Sequence, residues 1–285
     1  MRAEQVTAPI AHHGEGPAWD AATGRLLSVD MLAGDLLALD LDTGDVTRTH
    51  VHDVLACVRP RARGGYVCGI ERGFALLDAG SDVPQVLPEV WSDEGVRMND
   101  GGCDPQGRFY CGSMAYDNGA GRGALWRMDP GGSTESVLTN VTVANGLAWS
   151  LDGATVYHID SPTREISAYA FDASAGTFHD RRVVASFPDI GDAVPDGMSI
   201  DAEGGLWIAF FRGSQVRRYA SDGTLTERVD LPVTQVTAVA FGGQNLDRLY
   251  ITTSKEGMRG DQPAAGAIFQ VTPDVRGAPV LPYAS

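Results

Sequence analysis

Apolar residues in this chain fall in short runs separated by turns rich in Gly and Asp. Gly16-Pro17-Ala18-Trp19-Asp20 leads through Thr23-Gly24 to Leu26-Leu27-Ser28-Val29-Asp30. Asn145-Gly146-Leu147-Ala148-Trp149 leads through Asp152-Gly153 to Thr155-Val156-Tyr157-His158-Ile159-Asp160. Val236 to Phe241 leads through Gly242-Gly243 to Arg248-Leu249-Tyr250-Ile251-Thr252-Thr253. Alternating strands such as Asp35-Leu36-Leu37-Ala38-Leu39-Asp40 and Ala124-Leu125-Trp126-Arg127-Met128-Asp129 follow these pairs. β-Branched and aromatic runs between Gly and Asp turns are hairpin signals. Few segments hold an apolar 3.6-residue period, so helix should be scarce and the class all-β.

The hairpins repeat. Arg97-Met98-Asn99-Asp100-Gly101 and Pro195-Asp196-Gly197 each precede the same strand-turn-strand pattern. Asn99, Asn145 and Asp196 follow one another at roughly 45–50 positions, the period of a four-stranded propeller blade. Units near Glu15, Gly64-Gly65, Asn99, Asn145, Asp196 and Thr237 predict a six-bladed β-propeller of four-stranded antiparallel blades. A sandwich built from the same hairpins is the alternative. No Pro-rich linker or charge block divides the sequence, so residues 1–285 are expected to form one domain. An unclosed propeller leaves open sheet edges. The segment around Glu4 to Ala8 is therefore expected to pair into the same blade as Ala267 to Val271. Residues just before each innermost strand face the channel axis, which places Glu15, Asn99, Asn145 and Asp196 around one point.

Composition narrows the partners. A hydrophobic content of 43% over 285 residues is ample for a core. A net charge of −15 argues against nucleic acid or an anionic membrane, since phosphate binding needs clustered Lys and Arg. No stretch approaches the roughly 18 apolar residues needed to span a bilayer. Met1 to Ile10 lacks the apolar core of a signal peptide, so a cytoplasmic location is expected. Cys57, Cys68, Cys103 and Cys111 match no zinc spacing and read as reduced strand residues.

Glu15 sits in His12-His13-Gly14-Glu15-Gly16-Pro17, between two glycines and next to a proline, where a strand former is not expected. Asn145-Gly146 and Asp196-Gly197 have an ordinary reading as turn residues, because Asn-Gly favours positive φ. Recurrence at one blade position favours a shared site instead. Two carboxylates and an amide oxygen, completed by water, suit a hard divalent cation such as Ca²⁺, Mg²⁺ or Mn²⁺.

Gly14-Glu15-Gly16-Pro17, Arg97-Met98-Asn99-Asp100-Gly101 with Asp104-Pro105-x-Gly107-Arg108, Gly112-Ser113-Met114, Asn145-Gly146-Leu147, Pro195-Asp196-Gly197-Met198 and Phe241-Gly242-Gly243 occur in order over nearly the whole chain. Together they resemble the SMP-30/gluconolactonase/regucalcin family. The resemblance implies a six-bladed propeller with one divalent metal ion in its channel (Ca, Zn, Mn, Mg or Fe) and hydrolysis of sugar-acid lactones. It implies Glu15, Asn145 and Asp196 as metal ligands, and Arg97, Asn99 and Asp117 as substrate contacts. Relatives often carry Glu at the position of Asp117, and small or apolar residues at those of His12 and His13. Asp196 is the expected general base. The Gly-rich segment 117–123 reads either as a lid or as a plain hairpin.

The implied activity is divalent-metal-dependent hydrolysis of an aldonolactone such as gluconolactone to the aldonic acid, with a small-molecule sugar lactone as partner. Another metal-dependent hydrolase, of phosphotriesterase type, and a non-catalytic Ca-binding propeller are the alternatives, since fold alone does not fix substrate. No Gly-x-Ser-x-Gly elbow, His-Glu-x-x-His or Gly-x-x-x-x-Gly-Lys occurs, which argues against serine esterase, zincin and P-loop chemistry. Neither the oligomeric state nor the particular lactone is legible.

Overall fold

A computed structural model describes all 285 residues, Met1–Ser285. It contains six four-stranded antiparallel sheets, each built from strands in chain order outward from the channel, apart from the last. The innermost strands are Gly14–Asp20, Leu55–Pro60, Val96–Cys103, Ala144–Trp149, Val194–Ile200 and Val236–Gly242. This is the six-bladed β-propeller expected from the repeat. The only helices are two short 3-10 turns, Met31–Ala33 and Ser161–Thr163. No helix is long and apolar enough to cross a membrane.

The sixth blade takes its outermost strand from the start of the chain. Glu4 pairs with Gln270 and Gln5 with Phe269. The open edge of the last sheet is thus covered by the first strand. Between blades the core is aromatic and aliphatic. Trp207 meets Phe241 edge-to-face at 5.9 Å, and Trp149 packs on Tyr110 and Phe171. All four cysteines are free, buried and on strands.

The turns that join the first and second strands are organised by buried aspartates. Asp104 Oδ1 accepts from the backbone N–H of Gln106 and Arg108, while Oδ2 accepts from Arg108 Nε at 2.6 Å and from the Tyr110 hydroxyl. Asp201 repeats the arrangement with Glu203 and Gly205 N–H, Trp207 Nε1 and Arg218 Nε. These Asp-x-x-Gly turns lie at the end of the channel opposite Glu15. There the C-terminal segment crosses the blades, with Gly277 N–H on Leu246 O, Ala278 on Ile200 O, Tyr283 on Pro60 O and Ala284 on Gly107 O.

All six innermost strands lose register once. The shifts fall between Glu15 and Ala18, Leu55 and Cys57, Met98 and Gly101, Ala144 and Leu147, Pro195 and Met198, and Val236 and Ala238. A bulge leaves one residue unpaired and turns its side chain away from the strict alternation of the sheet. Here it does so at the same height in every blade.

Asp201 is fully buried and holds four donors, among them the Arg218 guanidinium. Asp201→Ala should therefore cost about 3–5 kcal/mol, the range for breaking a buried ion pair from one side. Denaturant unfolding of the two proteins measures it; a loss under about 1 kcal/mol would mean that the turn holds without its aspartate.

Candidate active site at the channel mouth

Glu15 borders the bulge of the first blade, and Asn99, Asn145 and Asp196 lie within those of the third, fourth and fifth. All four are buried, as are Arg97 and Asp100. None of Asn99, Asn145 or Asp196 has positive φ, whereas Gly16 does, at 54°. Asn145 is therefore not present to supply a left-handed turn. Glycine beside the polar residue lets neighbouring inner strands close up: a Cβ on Gly197 would lie 2.4 Å from that of Ala238.

A chain of hydrogen bonds crosses three blades. Arg97 Nη1 donates to Asn99 Oδ1 at 2.7 Å and to Met98 O at 2.9 Å. Asn99 Nδ2 donates to Asn145 Oδ1 and to Ala144 O, both at 2.9 Å. Asn145 Nδ2 donates to Ser161 Oγ at 2.7 Å, and that hydroxyl donates to Pro195 O at 2.7 Å. Because Ser161 spends its proton on Pro195, it accepts from Asn145, which fixes the amide with Oδ1 turned the other way. That oxygen keeps a second lone pair.

The charges in this region do not balance. Burial pushes the Glu15 carboxyl up to about 8, with the Asp100 charge adding to it. Burial, then Glu15, then Asp100, push Asp196 well above the usual carboxylate range. Asp100 is itself pushed up by burial, against the pull of Arg59. Arg97 is the nearby cation for both Glu15 and Asp196, and burial pushes its own pKa down. Glu15 accepts one hydrogen bond, from Gly16 N–H at 3.2 Å. No group of three His, Cys, Asp or Glu side chains is arranged to hold a metal by itself. The candidate set therefore depends on the Asn145 amide oxygen. With two buried carboxylates lacking an ion-pair partner and that oxygen oriented by Ser161, these residues fit a hard divalent cation.

Asp117 lies apart from this group, on the exposed hairpin that follows Phe109–Ala115. Its carboxylate accepts from Gly119 N–H at 2.9 Å and faces Arg122 at 3.4 Å. Segment 117–123 is pinned rather than free-standing: Arg122 also reaches Asp93 at 2.9 Å, and Gly121 N–H donates to Thr142 Oγ1. The neighbour of Asp117, Tyr116, is the residue that covers Arg97, with the guanidinium carbon 5.7 Å from its ring centre and its hydroxyl on Glu71 at 2.7 Å. At the opposite rim, His13 is buried with its imidazole pushed down to about 3 by burial and by Arg97. Asp100, Tyr116, Glu71 and Ser161 carry no repeat signature of their own. Asp100 alone had a signal, its place next to Asn99. A cavity of about 570 Å³ lies at the far end, against Trp19, Arg61, Tyr66 and Pro282, away from these carboxylates.

The fold is a six-bladed propeller with buried carboxylates and amides as a candidate site at one end of its channel. Residues 13–255 match the model of the SMP-30/gluconolactonase/LRE-like region, and the chain belongs to that family. It is 33% identical over 295 residues to the regucalcin of Bos taurus, a match taking in 99% of this chain and 98% of that one. A regucalcin from Agrobacterium tumefaciens, described as a calcium-binding protein, superposes with a TM-score of 0.92 at 26% identity, over 100% of this chain and 97% of that one. A luciferin-regenerating enzyme superposes with a TM-score of 0.89 at 30% identity, over 99% of each chain.

Glu15 gives a signed test of the charge imbalance. A carboxyl raised from 4.5 to about 8 in the folded, metal-free protein contributes fully below about pH 4.5, and that contribution is lost as pH rises toward 8. Melts of chelated protein across this range should show the Tm increase from added Ca²⁺ or Mn²⁺ growing with pH, because ligand carboxylates must be deprotonated. An increase that stays flat from pH 5 to pH 8 would contradict it.

Proposed function

We propose that this protein is a divalent-metal-dependent lactonase that opens a sugar-acid lactone to the aldonic acid. The observation that carries the reading is the pair of buried carboxylates without an ion-pair partner, Glu15 and Asp196, with the Asn145 amide oxygen oriented by Ser161 and linked through Asn99 to the Arg97 guanidinium. The gluconolactonase description of the family and its match over most of the chain support it. Glu15, the Asn145 amide oxygen and Asp196 would hold the cation. When bound, the cation supplies Lewis-acid polarisation of the lactone carbonyl and draws the two raised carboxyls back down.

The remaining work belongs to the side chains. Asp196 accepts the proton of the water that attacks the acyl carbon. The acyl C–O bond of the ring then breaks, and the proton returns to the departing ring oxygen as a hydroxyl. Arg97, held by Asn99, Met98 O and the Tyr116 ring, orients substrate oxygens. Asn99 ties that orientation to Asn145, so the substrate side and the cation side of the site move as one. Asp117, on its exposed hairpin, would reach substrate only across the rim.

The calcium-binding description of the Agrobacterium structure gives the second reading, a propeller that binds the cation without turnover. A panel of aldonolactones on chelated protein, reloaded with Ca²⁺, Mn²⁺, Mg²⁺ or Zn²⁺ and followed by proton release, separates the two. Asp196→Asn should lower kcat by at least about 100-fold with the fold intact. Arg97→Ala should act chiefly through KM, because positioning is uniform binding. Near-parent kcat in metal-loaded Asp196→Asn would remove Asp196 as base, and a parent inactive on every lactone would leave the binding reading.

A further inference from the structure

His13 stands two residues before Glu15, immediately ahead of the innermost strand of the first blade, Gly14–Asp20. Its backbone bridges Ser254, at the end of the second strand of the sixth blade. Its imidazole Nδ1 lies 2.7 Å from Ser254 Oγ. That hydroxyl has one proton and two nearby acceptors, Nδ1 at 2.7 Å and His12 O at 3.4 Å, and it already accepts from Glu256 N–H. The proton goes to the nearer acceptor. Nδ1 is then an acceptor, and in the neutral ring the hydrogen sits on Nε2.

Nε2 has no partner in the protein, and it belongs to the small accessible edge of an otherwise buried residue. A donor that is held in place and left open is available to a ligand. Its surroundings say which. Met31 N–H donates to His13 O at 2.9 Å, and the sulfur of the same Met31 accepts from Arg97 Nη1 at 3.2 Å. His13 and Arg97 therefore both touch Met31, one through its backbone carbonyl and the other at the sulfur, and the Arg97 charge acts on the His13 imidazole. The His12 ring, by contrast, lies out on the rim against Glu256 at 3.1 Å.

We propose that His13 is a specificity-determining contact, with its Nε2–H donating to a hydroxyl oxygen of the bound lactone across from Arg97, and with Ser254 as the positioning residue that sets its tautomer. This rests on the lactonase reading and deepens it: the site selects hydroxylated lactones over bare ones. The ligand oxygen supplies the acceptor that the protein leaves open, and a lactone without ring hydroxyls leaves it unmet.

The test compares D-glucono-1,5-lactone with δ-valerolactone, the same ring without hydroxyls, on metal-loaded protein. His13→Ala should lower kcat/KM for the hydroxylated lactone about tenfold, mainly through KM, the size of one neutral hydrogen bond. It should leave δ-valerolactone within about twofold. His13→Gln, which keeps a donor, should recover most of the discrimination, and Ser254→Ala should lose part of it, with melts confirming that each variant folds. Equal losses on both lactones, or no loss on either, would overturn the proposal. Where the parent fails to turn over either lactone, calorimetric binding of 1,5-anhydro-D-glucitol, which has the hydroxyls but no carbonyl, decides instead. Binding about tenfold weaker in His13→Ala supports the contact even if no lactone is hydrolysed. Equal binding by parent and variant refutes the contact alone, and a parent that neither turns over nor binds refutes it together with the lactonase reading.

Discussion

Two buried carboxylates without an ion-pair partner, Glu15 and Asp196, are the constraint on which the rest of the structure depends. Glu15 and Asp196 come from blades far apart in sequence, and the Glu15 charge raises Asp196 on top of the effect of burial. Asp100 adds a third negative neighbour, and Arg97 is the cation that pulls both Glu15 and Asp196 the other way. Like charges in a low-dielectric site destabilise the fold unless a proton or a cation is taken up. A propeller can carry that cost because its stability is made elsewhere, in the aromatic layers between blades and in the sheet ladders. The channel mouth is thereby free to hold an arrangement that would be untenable in a single continuous core.

The same strands perform both tasks at opposite ends. At the far end, Asp104 and Asp201 spend their carboxylates on turn N–H groups and on Arg108 and Arg218, so these acids are structural. At the near end, the register shift interrupts the ladder of each inner strand at an equivalent place. The repeat therefore supplies the placement, and the residue type at the bulge supplies the chemistry: Glu15 at its edge in the first blade, Ala56 in the second, Asn99, Asn145 and Asp196 in the third to fifth, Thr237 in the sixth. Thr237 donates to Gly14 O, which ties the sixth blade to the strand carrying Glu15.

What repeats was legible in the sequence. The blade count followed from the spacing of Asn99, Asn145 and Asp196, and the pairing of Glu4 and Gln5 with the last blade followed from the need to cover an edge. The place of Asn99, Asn145 and Asp196 within equivalent bulges followed from the repeat, and Glu15 lies one position earlier, paired with Val29. Contacts between blades were not legible, because they join residues with no common pattern. Ser254 meets His13 across 241 positions, and Ser161 orients Asn145 from a 3-10 turn that has no counterpart in most blades. The surroundings of Asp117 were equally hidden: its hairpin sets the carboxylate against Arg122 and leaves Tyr116 beside Arg97.

Calorimetric titration of chelated protein with Ca²⁺ and Mn²⁺ at pH 8 tests the central claim most directly, with Glu15→Gln and Asn145→Ala titrated beside the parent. The account predicts one cation per chain in the parent and a loss of affinity of at least about tenfold in each variant. A parent that takes up no stoichiometric cation, or variants that bind it as tightly as the parent, would contradict it.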